Sequence, residues 1–312
     1  VIPLLRRAVA LAALAGLAGC RPAGEAPDAA FRPVDPTAFS GTSALREAVE
    51  FVNLGPKVAG TPGLERAATH LRDRLLALGV ETRIAEFEDD TPGGRKTFRN
   101  VIARLPGGRP GLLIVGGHFD TKDLPDFLGA NDGGSSTGLL LELARVLRDA
   151  KWSGPELWLV FFDGEEAAIR YSERDGLHGS RRLVEDLRRE NRLAEVRAMV
   201  LFDMVGDRDL TITLPADTPP ALARLVFAEA DRQGVRRHFG FLGSPILDDH
   251  VPFQRAGVPA VDLIDFQFGS RPGWNDYWHT PADSVDKLDA RSLEIVGRVG
   301  LGLLNRLAVA PP

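Results

Sequence analysis

Apolar positions along this chain recur in two alternating rhythms. Spacings of three and four residues predict helices: residues 44–52, capped by Thr42 or Ser43, and a segment after Pro62 with Leu64, Ala67, Ala68, Leu71, Leu75 and Leu76 on one face. The same spacing predicts helices over 138–147, 180–192, 220–233 and 291–307. Short β-rich runs predict strands over 80–87, 97–105, 112–117, 157–162, 196–204, 210–214 and 259–264. The turn formers Thr91-Pro92-Gly93-Gly94 separate the first two strands. Residues 112–117 are apolar without interruption, as expected of a central strand buried on both faces. Strands alternating with helices define an α/β fold. The expectation is three layers, with a mixed but mostly parallel central sheet flanked by helices, in a single domain. In such sheets functional groups gather beyond the carboxyl ends of the strands.

The first twenty residues follow another pattern. Arg6-Arg7 precede an apolar stretch from Ala8 to Ala18 that is too short to span a bilayer comfortably, and the segment ends in Leu17-Ala18-Gly19-Cys20. This resembles the bacterial lipobox, in which the cysteine becomes the lipidated first residue. The expected organisation is a lipoprotein signal peptide over 1–20, a flexible Pro-, Ala- and Asp-rich linker over 21–40, and a globular domain over 41–312. The mature protein is then an exported, membrane-anchored lipoprotein at the periplasmic face or the cell surface, held through Cys20. With one cysteine in the chain, no internal disulfide stabilises it. A formal charge of −5 without a basic field excludes nucleic acid as a partner. Arg181-Arg182 and Arg188-Arg189 sit among acids and read as a solvated helix face. The anchor and the lack of heptads favour a monomer.

The chemistry concentrates where strands end. Leu159-Val160-Phe161-Phe162-Asp163-Gly164-Glu165-Glu166 delivers two adjacent carboxylates from an apolar run. Neighbouring residues at a strand exit point in different directions, so one acid can bind a metal while the other moves protons. Asp132 lies in Gly129-Ala130-Asn131-Asp132-Gly133-Gly134, Asp203 ends an apolar strand, and Trp278-His279-Thr280 offers an imidazole. His118 and Asp120 stand two apart at another strand end, where Asp120 is placed to orient a metal-bound His118. Each acid alone reads equally well as a helix cap or a solvated loop residue. Four strand-end groups of ligand type together point to a metal site. A set of O and N donors without sulfur suits zinc and argues against copper(I) or iron–sulfur centres.

These segments together resemble the zinc-dependent M28 peptidases over nearly the whole globular part and, within them, the glutaminyl-peptide cyclotransferases (glutaminyl cyclases). Phe161-Phe162-Asp163-Gly164-Glu165-Glu166-Ala167 looks like the cyclase signature, and the long run to Gly176-Leu177-His178-Gly179-Ser180 matches cyclase spacing. His118-Phe119-Asp120-Thr121-Lys122, Asp248-Asp249-His250-Val251-Pro252-Phe253 and Trp278-His279-Thr280 are similar to further cyclase motifs. The resemblance implies a zinc aminopeptidase/glutaminyl cyclase-like fold with one zinc held by Asp132, Glu166 and His279. It implies Glu165 as proton shuttle, Asp203 and Asp248 as acids of the surrounding hydrogen-bond network, and Trp278, Tyr171 and Trp274 as walls around the substrate. Two positions depart from the animal cyclases: Tyr171 replaces Trp, keeping an apolar wall, and Leu247 replaces Gln, removing a polar contact. The implied substrates are peptides or proteins with N-terminal glutamine. The main rival is a two-zinc aminopeptidase, with His118, Asp132 and Asp203 serving a second metal. A lipoprotein that captures peptides without turnover is the third reading, and a retained Glu165 speaks against it.

Other residues are set apart from the site. His70 and His238 are expected to face solvent, and His178 to sit in a turn. His250 braces Asp248 or caps a helix. Trp152 and Trp158 read as structural. Phe266 and Phe268 fit either a pocket mouth or loop packing, and Gly243-Ser244-Pro245 reads as a turn without a serine nucleophile.

Overall fold

Four apolar runs lie side by side at the centre of the computed structural model, which describes residues 31–172 and 174–312. They are β3 (Arg109–His118), β4 (Pro155–Phe162), β5 (Val196–Asp203) and β8 (Ala260–Ile264), all mutually parallel. On one side, β2 (Gly94–Leu105) pairs antiparallel with β4, and β1 (Glu81–Thr91) with β2. On the other, β6 (Ile212–Leu214) runs antiparallel to β8 and carries β7 (Phe239–Phe241). The sheet is eight-stranded, ordered β1-β2-β4-β3-β5-β8-β6-β7.

The period of two along the central strands sorts side chains between two cores. Leu113, Val115, Leu159, Phe161, Val200 and Phe202 face one side. There they meet α1 (Gly41–Val52), α2 (Pro62–Ala77), α3 (Gly134–Asp149), α5 (Pro220–Arg232) and α7 (Ala290–Val309). Leu112, Ile114, Trp158, Val160, Met199 and Leu201 face the other side, under α4 (His178–Arg189) and α6 (His250–Arg255). Each fully buried Leu, Val or Phe contributes about 1.5–3 kcal/mol, so this partition holds the three layers together. Among the described residues, no helix is long and apolar enough to cross a membrane.

Several boundaries differ from expectation for identifiable reasons. The hairpin of β1 and β2 extends to Thr91 opposite Gly94, because Gly94 adopts φ +102° at the turn. Helix α3 begins at Gly134, four residues before its apolar stripe. The run Gly-Ser-Ser-Thr has loop composition, yet Ser135 Oγ donates to Asn131 O at 2.6 Å and Ser136 Oγ to Gly133 O at 3.2 Å, satisfying the two buried serine hydroxyls. The short β7 carries no pattern of its own and forms against β6.

The packed chain starts earlier than residue 41. Val34 and Phe39 are buried, and Asn305 of α7 clamps the Val34 backbone from both sides at 2.9 and 2.7 Å. The expected signal peptide, Cys20 and the first half of the linker lie outside the described residues.

Candidate metal centre and active site

Strands β3, β4 and β5 end at the same edge, and their last residues set the site. Beyond β4, Gly164 takes φ +71° and turns the chain so that Glu165 and Glu166 enter together. Their backbone N–H groups donate to the two oxygens of Asp120, both at 3.2 Å. Asp120 thus has a role beyond the expected contact with His118. Its carboxylate serves the Glu165–Glu166 backbone, and His118 Nδ1 stands 3.5 Å from it, at the outer edge of hydrogen-bond reach. The end of β3 can approach α3 because of Gly117: a Cβ there would lie 2.8 Å from Ser136 Cβ and 2.9 Å from Phe202 O.

Two groups of donors meet at Asp132. His118, Asp132 and Asp203 form one, and Asp132, Glu166 and His279 the other; within each, the ligand atoms lie within 4.8 Å of one another. His118 Nε2 is 3.0 Å from Asp132 Oδ1 and 3.2 Å from Asp203 Oδ1. His279 Nε2 is 3.0 Å from Glu166 Oε1 and 3.3 Å from Asp132 Oδ2. Asp132 itself is held from behind, since Asp283 accepts from Asn131 N at 2.7 Å and Asp132 N at 3.1 Å. His279 has φ +55°, sparsely populated for a residue with a Cβ, and its ring stacks on Trp278 with centroids 3.8 Å apart. Backbone strain at a group with functional chemistry needs over-determination by its surroundings, which this stacking helps to supply.

The donor set fits a divalent cation. Glu165, Glu166 and Asp132 are buried and Asp203 nearly so, and burial pushes the carboxyls of Glu166 and Asp203 above the usual range. Among the described residues Lys122 is the lysine in contact, its Nζ 3.3 Å from Glu166 Oε2. Burial alone would lower the pKa of both His118 and His279, but their hydrogen bonds with the acids outweigh it and raise both. So many desolvated acids are stable together only around a bound cation or with protons taken up, here on the two histidines. Donor separations of 3.0–3.3 Å approach the roughly 3.3 Å edge of a tetrahedron of ligands about 2.0–2.1 Å from zinc.

A cavity of about 320 Å³ opens onto these groups, lined by Asp132, Glu165, Tyr171, Asp203, Leu247, Asp248, Phe266 and Trp278 among others. Leu242, Ile246 and Ile264, which the sequence did not single out, add apolar surface, and Ser244 and Pro245 of the expected turn line it as well. Tyr171 is more than an apolar wall: its hydroxyl is 3.1 Å from Glu165 Oε2 and 2.9 Å from Glu166 Oε2. Burial and these carboxylates hold its pKa well above the usual value, so it remains a donor. Trp274 does not join the cavity wall. It is 47% exposed, with the Arg271 guanidinium 3.9 Å above its ring. Phe268 is fully buried and packs on Tyr277 instead of lining the mouth.

Behind the cavity lies a second group of acids. Asp248, Asp249 and Asp262 are buried, and burial followed by mutual repulsion raises the carboxyls of Asp248 and Asp262 well above normal. Asp262 interrupts the apolar run of β8, and an acid within a strand of that kind was the available sequence signal. His250 is the first residue of α6 rather than its cap, fully buried, with Nδ1 3.9 Å from Asp262 Oδ2. His178 is likewise a helical residue, buried, stacked on Phe98 and 2.7 Å from Asp89 Oδ2. His70 and His238 are half-buried rather than solvent-facing: the first lies against Phe51 and the second 3.1 Å from Leu210 O. Trp152 donates from Nε1 to Pro155 O at 2.6 Å, and Trp158 lies beneath Arg104 and Arg192, both away from the cavity.

The sheet, the strand-end acids and the paired donor groups define a metal-dependent α/β enzyme of the zinc exopeptidase type. The chain belongs to peptidase family M28, whose sequence profile matches residues 100–304. It is 31% identical to the glutaminyl-peptide cyclotransferase of Drosophila melanogaster over 272 residues, 78% of this chain and 75% of that one. The crystal structure of an Acidobacteriales bacterium glutaminyl cyclase superposes with a TM-score of 0.82 at 34% identity, covering 92% of this chain and 99% of that one. The Porphyromonas gingivalis glutaminyl cyclase superposes with a TM-score of 0.76 at 30% identity, over 86% and 99% of the two chains. Membership of the family implies zinc.

Proposed function

We infer that this protein is a glutaminyl-peptide cyclotransferase, converting the N-terminal glutamine of peptides or proteins to pyroglutamate with release of ammonia. The observation that carries this reading is Glu165, a buried carboxyl beside the Asp132–Glu166–His279 group but outside it, facing a cavity of apolar walls. Likeness to glutaminyl cyclases across most of the chain supports it.

Asp132, Glu166 and His279 would hold one zinc. When bound there, zinc supplies a Lewis acid for the γ-carboxamide carbonyl of the substrate. Glu165 accepts a proton from the substrate's α-amine as its nitrogen attacks the γ-carbonyl carbon. The new C–N bond closes a five-membered ring. The bond to the amide nitrogen then breaks, and Glu165 returns the proton so that ammonia leaves. Burial, the first cause, together with Asp248 and Glu166 holds the Glu165 carboxyl well above its usual range, which suits a group that must carry a proton between steps. Tyr171 and Asp120 fix where that carboxyl and its neighbour point. Because the nucleophile is part of the substrate, Trp278, Phe266, Ile246 and Leu247 serve chiefly to hold the side chain folded over its own amine. Asp203 and Asp248 complete the acid network on the cavity wall.

The test is Glu165→Gln. Zinc should remain bound while ammonia release from a Gln-initiated peptide falls at least a hundredfold. Most of the activity surviving in that variant would remove Glu165 from its role.

The second donor group, His118–Asp132–Asp203, is the observation that favours a two-zinc aminopeptidase as the alternative. Zinc content per chain separates the two when joined to assays on a Gln-initiated peptide and an aminoacyl chromogenic substrate. A chain that binds both substrates and turns over neither is the peptide-capture protein instead.

We further propose that Cys20 carries the lipid anchor of an exported monomer, at the periplasmic face or cell surface. The motif Leu17-Ala18-Gly19-Cys20 supports this. Palmitate labelling that persists in Cys20→Ala would refute it.

A further inference from the structure

Among the described residues, the one lysine shielded from water is Lys57, 1% exposed in the connection between α1 and α2. Its three ammonium protons have three destinations. Nζ donates to Gly55 O at 2.7 Å and to Leu128 O at 3.3 Å, and it stands 4.9 Å from the ring centroid of buried Phe51. Burial draws the ammonium down to about 8, and the charge of Asp283 works against that fall, so the side chain is cationic at neutral pH. Asp283 is the same carboxylate that accepts from Asn131 N and Asp132 N. Desolvating an ammonium is costly, and a methionine would fill about the same space without that cost.

The surroundings of Lys57 show what the charge holds. Its main chain is stitched to Thr121, just past Asp120: Lys57 N donates to Thr121 Oγ1 at 2.8 Å, and Lys57 O accepts from Thr121 N at 3.1 Å. Its side chain grips the carbonyl of Leu128, where the Asp132 loop begins. Gly129 turns that loop with φ +61°, and a Cβ there would lie 2.4 Å from Asp132 O and 3.1 Å from Thr121 Cγ2. Gly134 N donates back to Gly129 O at 3.1 Å, closing the loop on itself. With no slack between Leu128 and Asp132, a displaced Leu128 carbonyl displaces the carboxylate. Phe127, next in the chain, meets the His279 ring edge-on with centroids 6.0 Å apart.

We propose that Lys57 is a positioning residue for the metal centre: its ammonium pins the Leu128 carbonyl and so sets where Asp132 presents its oxygens. The inference rests on the reading of Asp132, Glu166 and His279 as a zinc site. Asp132 belongs to both donor groups, so its placement governs either one. Lys57 lines no part of the cavity and acts through geometry, not through contact with substrate. Groups that orient metal ligands change affinity by about 10–100-fold, and one acting through a backbone carbonyl belongs at the lower end.

The experiment measures zinc affinity by competition with a chromogenic chelator in the wild type, Lys57→Met and Leu71→Val. Leu71 is buried in α2, so its truncation weakens packing away from the site. Zinc should bind Lys57→Met about tenfold more weakly than the wild type, and Leu71→Val within about twofold of it. Cobalt(II) substituted for zinc reports ligand geometry through its visible bands, which should shift in Lys57→Met and stay in place in Leu71→Val. Wild-type affinity or unshifted bands in Lys57→Met, an equal loss in Leu71→Val, or failure of Lys57→Met to fold even with zinc overturns the positioning role and leaves the zinc site standing. A wild type that takes up no zinc overturns the zinc site, and this inference with it.

Discussion

Tyr171 reaches across its own loop to place its hydroxyl 3.1 Å from Oε2 of Glu165, with Oε2 of Glu166 at 2.9 Å. One hydroxyl proton can serve only one of these oxygens at a time. Tyr171 therefore links the group proposed to carry protons to a group proposed to hold zinc. Removing the hydroxyl in Tyr171→Phe keeps the wall and loses the link. The expected result is a fall in kcat of about tenfold with zinc content unchanged. Steady-state kinetics alongside metal analysis checks this, and wild-type kcat in the variant would show that the hydroxyl is idle.

Asp120 binds the backbone of the Glu165–Glu166 turn with both oxygens. Asp120→Ala leaves two buried N–H groups unpaired and should cost about 3 kcal/mol of stability. Asp120→Asn keeps one acceptor and should cost less. Urea unfolding of the three proteins measures the order, and equal midpoints would contradict it.

Metal removal should destabilise the fold as well as silence it. Without a cation, the carboxylates of Asp132, Glu166 and Asp203 remain buried together at the strand ends. A ligand present at a thousand times its dissociation constant stabilises by about 4 kcal/mol. Dialysis against a chelator should therefore lower the thermal midpoint by several degrees, and zinc should restore it. A midpoint indifferent to zinc would mean that the donors are not its site.

His250 supplies a pH signature. Burial alone depresses its pKa to about 4, so the folded chain holds the ring neutral. The unfolded chain protonates it near 6.5. Between those values the unfolded state binds more protons, so the contribution of His250 to stability is full above about pH 6.5 and declines as pH falls towards 4. The decline amounts to about 3 kcal/mol. Nearby carboxyls with raised pKa act in the opposite sense, and the comparison with His250→Gln isolates the histidine. Stability curves of the two proteins should diverge from pH 7 to pH 4.5. Parallel curves would show that the ring is hydrated or already charged.

The sequence by itself determined the alternation of strands and helices, the parallel centre of the sheet and the placing of acids at strand exits. Each of these follows from patterns only a few residues long: the uninterrupted apolar run Leu112–Gly117, apolar spacing in α7, and an apolar run ending in Glu165-Glu166. Tertiary structure alone decided what those acids touch. Asp132 meets its support Asp283 across 151 residues, and His118 meets Asp203 across 85. No local pattern encodes a contact of that range. Loop paths were equally hidden: Tyr171 and Trp274 looked alike as aromatic walls, yet one loop turns inward to the carboxylates and the other leaves its indole under Arg271 in solvent. The second role of Asp120 was hidden for the same reason, because it accepts from the backbone N–H groups of another strand's exit.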